Sequence, residues 1–202
     1  SLNLSFHAIE DITAISKLSK LTSLSLGGNK IKSIEPLASL TQLKWLELFN
    51  CEAEDYTALS NLVNLEHLSL GRSLIKDVSV LSGLSQLREL TFDNTEVSDI
   101  SSLRSLEKLE RLYLSNTPII DFSPIETIYN QLSDKDFVYV KSLTELGFQM
   151  DTNDPKAVFF KDNIAITINH QEWGVPAMDL EANCVQTHLT YPENQRLIVI
   201  YY

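Results

Sequence analysis

The sequence predicts an α/β solenoid, a stack of short identical coils followed by a small α+β domain. Three observations predict it. Leucine stands at positions 21, 43, 65, 87 and 109, five times at a spacing of 22. After each of these leucines, apolar and polar residues alternate briefly, as in Ser23-Leu24-Ser25-Leu26. Farther along, an apolar trio recurs at three-residue intervals: Ile34, Leu37, Leu40, then Tyr56, Leu59, Leu62, then Val78, Leu81, Leu84. A unit this short cannot bury its own apolar face, so copies must stack on one another.

Each part of the unit has its own physical signature. The alternation is that of a half-buried strand. Stacking pairs these strands into a parallel sheet, with neighbours roughly 4.8 Å apart. Asn29 follows the strand and is expected to turn the chain, its amide bonding backbone of the adjacent turn. The same position holds His7, Cys51, Ser73, Thr95 and Thr117, so the asparagine ladder should be interrupted. The apolar trio suits a 3₁₀ or single α turn on the back of the coil. Just before it stand Asp11, Ser33, Asp55, Asp77, Asp99 and Asp121. Single stacked carboxylates do not supply the six to eight oxygens that calcium takes. Each is expected to cap its short turn instead.

These units read Leu21-Thr22-Ser23-Leu24-Ser25-Leu26-Gly27-Gly28-Asn29-Lys30-Ile31, then Leu43-Lys44-Trp45-Leu46-Glu47-Leu48-Phe49-Asn50-Cys51-Glu52-Ala53, with further units from Leu65, Leu87 and Leu109. A partial unit with Leu2, Leu4 and Ile9 precedes them. The pattern resembles the leucine-rich repeat family, and its 22-residue length is similar to the internalin-like bacterial branch. The resemblance covers residues 1–130. It implies a right-handed array with a concave sheet and convex 3₁₀ or α turns, used to bind proteins. Ser1 falls at the third position of a unit, so the array is expected to be truncated at its start.

Strand residues that point away from the core form rows across the array. One row is Ser23, Trp45, His67, Glu89, Arg111; the next is Asn3, Ser25, Glu47, Ser69, Thr91, Tyr113. Beyond them run Ser5, Gly27, Phe49, Gly71, Asp93, Ser115 and then Phe6, Gly28, Asn50, Arg72, Asn94, Asn116. No structural duty is evident for these rows. Trp45 and Phe49 share one strand and should both face solvent, which marks contact surfaces. The expected partner-binding residues are Trp45, Glu47, Phe49, His67, Arg72, Glu89, Arg111 and Tyr113. Gly27-Gly28 marks a tight turn and is not a phosphate loop, because no lysine-serine pair opens a helix there.

The 22-residue beat ends after Ile128. Residues 131–202 are expected to form the α+β domain, whose first duty is to close the exposed end of the array. Ser133 and Asp136 resemble a capping box, predicting a helix to about Leu146 with Gly147 as its stop. Ala157–Phe160 and Ile164–Asn169 predict a hairpin, and Cys184–Tyr191 and Leu197–Tyr202 predict two more strands. An all-β immunoglobulin-like module, usual after internalin repeats, does not fit that helix.

Charge and cysteine content bound the function. The net charge of -11 disfavours nucleic acid and anionic membranes and favours a basic protein partner. No run of 18 apolar residues predicts a membrane span. Cys51 is expected to point inward and Cys184 lies in the tail, so no disulfide framework is predicted. That favours a reducing compartment, the cytoplasm, with secretion or the cell surface as the alternative. A nucleophile at Cys184 with His188 lacks a third orienting group, and zinc at Cys184, His188 and His170 lacks a paired motif. The chain is therefore expected to be non-enzymatic and to need no cofactor or metal. The narrower expectations are an inhibitor or immunity-type protein for a basic toxin, or an internalin-like surface adhesin.

Overall fold

A computed structural model gives the fold. It describes residues 1–119, 121–140, 149–151, 158–161, 164–167, 186–191 and 195–200, with side chains described up to 137. Two units result, Ser1–Asp136 and Phe137–Tyr202.

In the first unit seven parallel strands run in chain order: β1 (Leu2–Asn3), β2 (Ser23–Ser25), β3 (Trp45–Glu47), β4 (His67–Ser69), β5 (Glu89–Thr91), β6 (Arg111–Tyr113) and β7 (Asp134–Lys135). The register advances by one repeat at each step, so Leu24, Leu46, Leu68, Leu90 and Leu112 stand side by side. All five are wholly buried, as are Leu26, Leu48, Leu70, Phe92 and Leu114. Complete burial of one such side chain stabilises by about 1.5–3 kcal/mol. This inward column is what locks the register, because a slip of one residue would turn every leucine to solvent.

Behind the sheet lie 3₁₀ turns at Thr13–Lys17, Glu35–Ser39, Thr57–Asn61, Ser79–Leu81, Ser101–Ser105 and Ser123–Ile125, the last running into α1 (Glu126–Tyr129). The apolar trios line them inward: Ile34, Leu37 and Leu40 have no exposure, nor do Val78, Leu81 and Leu84. The aspartate column caps these turns as expected. The carboxylates of Asp11, Asp55, Asp77, Asp99 and Asp121 accept the backbone N–H two residues on at 2.7–2.8 Å. Each sits one residue ahead of the formal cap position, a shift within the play of helix boundaries. The Thr13, Ser79 and Ser101 hydroxyls, then their N–H groups, hold Asp11, Asp77 and Asp99 below the usual carboxylate range. At Asp55 the Thr57 N–H leads.

Asn29 makes the connection expected of it. Its Oδ1 accepts the N–H groups of His7 and Ile9, both at 3.0 Å, and its Nδ2 donates to the Leu4 and Leu26 carbonyls. Later turns do less. Thr95 and Thr117 each donate one bond, to Phe92 and Leu114, and the Cys51 thiol reaches Leu26 at 3.6 Å. Cys51 does point inward, and burial pushes its thiol up to about 11, so it stays protonated.

Asp136 finishes the sheet. Its carboxylate accepts the N–H groups of Leu114 and Ser115, both at 2.9 Å, taking the place of a further strand's carbonyls. This corrects the helix expected from Ser133: residues 134–135 are β7, and Phe137–Val140 form β8. Alternating aromatic and β-branched residues (Phe137, Val138, Tyr139, Val140) favour the pleat over the helix. The rest of that expected helix and Gly147 lie outside the described residues.

In the second unit β8 pairs in parallel with β13 (Gln195–Ile200), which pairs antiparallel with β12 (Gln186–Tyr191). β10 (Val158–Lys161) joins β9 (Gln149–Asp151) and β11 (Ile164–Thr167), both antiparallel. The hairpin expected around Lys161 is thus present, and so are the two final strands, starting at Gln186 and Gln195. Cys184 lies outside the described residues, and the side chain of His188 is not described.

Candidate functional site

The outward sides of β2–β6 carry the candidate residues, and the register brings them together. Trp45, His67, Glu89 and Arg111 are direct neighbours across the sheet. They form one continuous chain of contacts. The Trp45 indole stacks on the His67 imidazole with centroids 3.5 Å apart and planes 7° from parallel. His67 Nδ1 lies 3.2 Å from Glu89 Oε1, outside good hydrogen-bond alignment. Glu89 Oε2 meets Arg111 Nη2 at 2.5 Å.

This contact chain divides the candidates by role. Trp45 remains 40% exposed, whereas His67 is only 7% exposed beneath it. His67 is therefore a support for the indole rather than a free contact. Burial lowers its pKa, outweighing the pull of Glu89 and Glu47, so the imidazole is neutral at pH 7. Glu89 is largely covered by its two neighbours, and Arg111 stays exposed.

Tyr113 closes the face at its far end. Its hydroxyl donates to Asp134 Oδ2 at 2.7 Å. Desolvation first, then the Asp134 carboxylate, push the phenol up to about 12. Glu47 stands half-buried between Ser25 and Ser69.

Phe49 does not stand free in solvent as expected. It is half-buried, tilted at 54° against Phe6 with centroids 5.6 Å apart. It also lies over Gly27, where a Cβ would meet the ring at 2.2 Å. Phe6 covers Gly28 in the same way and is itself 73% exposed. Gly27 and Gly28 thus serve as the floor for an aromatic pair. Phe6 was not among the expected binding residues, because its unit is incomplete and its column otherwise holds glycine, asparagine and arginine.

That column corrects the view that the outer rows lack a structural duty. Phe6, Gly28, Asn50, Arg72, Asn94 and Asn116 all have φ between 52° and 69°. Each turns the chain out of the strand through left-handed backbone. Glycine and asparagine enter that region easily, whereas other side chains do so at a cost of about 1–3 kcal/mol. The Gly/Asn bias was the available signal. Arg72, an expected contact, is exposed and stands in this turn, just past the end of its strand.

Among the described residues, no group of three or more His, Cys, Asp or Glu is placed to hold a metal ion, and no helix is long and apolar enough to cross a membrane. The arrangement offers an aromatic and charged surface on a rigid sheet.

Residues 85–127 match a family model described as leucine-rich repeats (two copies). Among solved structures, internalin C2 from Listeria monocytogenes is similar at 32% identity and a TM-score of 0.64, covering 66% of this chain and 58% of that one. Another Listeria monocytogenes internalin, inlF, is 26% identical with a TM-score of 0.54, covering 67% of this chain and 53% of that one. A leucine-rich repeat protein of Leptospira interrogans shares the fold at 20% identity and a TM-score of 0.50, covering 59% of this chain and 38% of that one. The chain thus spans little more than half the length of the two internalins. No curated protein matches it significantly.

Proposed function

The repeat region is a leucine-rich repeat array of the internalin-like type, and we propose that it binds a protein partner on the concave sheet. One observation carries the proposal: Trp45 is held open to solvent, on a strand whose inward neighbours Leu46 and Leu48 are sealed. A stacked histidine beneath it fixes the ring at the cost of burying a polar group. Rigid aromatic anchors of this kind dominate protein interfaces. Arg111, Tyr113 and the Phe6–Phe49 pair extend the same surface.

Two finer readings have separate support. The acidic balance favours an inhibitor or immunity-type role against a basic protein. The likeness to two internalins favours a surface adhesin. Selective biotinylation of intact cells separates them: surface labelling supports the adhesin and a cytoplasmic location supports the inhibitor.

The binding proposal is tested by calorimetry with the recovered partner. Trp45→Ala and Phe49→Ala should each weaken binding by more than about 1 kcal/mol. Trp45→Ala should leave the thermal melt in place. Unchanged affinity in both variants defeats the proposal.

A further inference from the structure

Several charges of the array are paired between residues one repeat apart. Lys44 Nζ lies 2.8 Å from Glu66 Oε1, and Arg88 Nη1 lies 2.5 Å from Glu110 Oε1. On the concave face Glu89 sits between His67 and Arg111. Glu47, on the same face, has no such partner. Its row offers Asn3, Ser25, Ser69, Thr91 and Tyr113, and no cation. Among the described residues no lysine or arginine pairs with it.

The surroundings of Glu47 are aromatic. Trp45 precedes it and Phe49 follows it, each two residues away and therefore on the same side of the strand, at about 7 Å spacing. His67 covers one face of the indole. On the other side the register neighbour is Ser23, too small to cover it. Phe49 is braced by Phe6 and seated on Gly27, so its ring is held in place. A carboxylate without a counter-ion, set between two fixed rings, suits a flat cation. A guanidinium forks onto a carboxylate and stacks on aromatic faces, whereas an ammonium is a compact, strongly hydrated point charge. Residues 1–130 hold seventeen acids against eleven bases, so the longer-range field has the same sign.

We propose that Trp45, Glu47 and Phe49 form a subsite for an arginine side chain of the partner protein. The guanidinium sits on Glu47, with its plane and its methylenes against the rings. The proposal rests on the protein-binding role above and adds the identity of the anchoring side chain.

The test uses the full chain labelled with nitrogen-15 and three small probes: N-acetyl-arginine amide, N-acetyl-lysine amide and N-acetyl-citrulline amide. Citrulline keeps the shape of arginine without the charge. The signal followed is the Trp45 indole N–H, identified by its absence in Trp45→Phe. Arginine should give a saturable shift, with affinity at least about fivefold above lysine and tenfold above citrulline. Glu47→Gln, with an unchanged melt, should bring arginine down to the citrulline level. No saturable shift with arginine, equal binding of lysine or citrulline, or full arginine affinity in Glu47→Gln overturns the proposal. A partner that depends on Trp45 and Phe49 but places no arginine there also overturns it, while leaving the protein-binding role intact.

Discussion

The two sides of the same strands obey different rules. Facing inward, β2 to β6 repeat one residue, leucine, with no exposure at any of the five positions. Facing outward at the adjacent position, they hold Ser23, Trp45, His67, Glu89 and Arg111, no two alike. The backbone is common to both sides, so geometry does not cause the difference. Packing constrains the inward column, since leucine lies beside leucine from Leu2 to Leu112. The outward row has only its neighbours and solvent to satisfy. Uniformity on one side provides the rigidity with which variety on the other can be used.

The largest way to break this contrast is to shorten the inward column. Leu68→Ala should cost about 2–5 kcal/mol in chemical denaturation, because the cavity it leaves is walled by other repeats. A loss below about 1 kcal/mol would mean that the coils are not packed in register. Asn29→Ala comes next. It removes two donors and two acceptors at once, and it should cost about 2–3 kcal/mol against about 1 kcal/mol for Thr95→Ala, which removes a single bond. Equal losses in paired melts would show that the asparagine network adds nothing beyond one hydrogen bond.

A smaller effect comes from His67. The folded chain keeps this imidazole neutral, with burial outweighing Glu89 and Glu47 and with Arg111 acting in the same direction as burial. The unfolded chain takes up the proton first, near the ordinary histidine value of about 6.5. Its contribution is therefore complete above that value and fades as pH falls toward the lowered folded value. The melting gap between the wild type and His67→Gln should narrow from pH 7.5 to pH 5.5. A gap that widens on acidification would reverse the assignment. Least of all, Arg72→Gly should stabilise by up to about 1 kcal/mol by relieving its left-handed backbone. A destabilised Arg72→Gly would show that the arginine side chain supports the turn.

Much of the array was legible in the sequence because its constraints recur every 22 residues. The inward leucines, the turn trios and the capping aspartates each appear five or six times, so one noisy copy does little harm. The network around Asn29 was legible from a single residue, since a buried amide after a strand needs backbone partners. The outer face was less legible. Its rows could be assigned, but not the depth of each side chain. His67 lies under Trp45 and Phe49 rests on Gly27, and both facts depend on rotamers and on what the neighbouring coil leaves empty. Phe6 was missed because a left-handed turn rarely carries an aromatic residue. The expected helix at Ser133 failed because a capping-box pattern was weighed above the β-forming run that follows it. There the last coil needed one more strand, and Asp136 supplied acceptors for the sheet edge.

Covalent footprinting of the chain with and without its partner tests the central claim most directly. The array exposes large apolar side chains in several places, among them Trp45 and Phe6 on the face and Leu18 and Val63 beside the 3₁₀ turns. A diazirine probe labels them all in the free chain. Partner binding should protect Trp45, Phe6 and Tyr113 and leave Leu18 and Val63 labelled. Protection of Leu18 and Val63 with Trp45 still labelled would contradict the account.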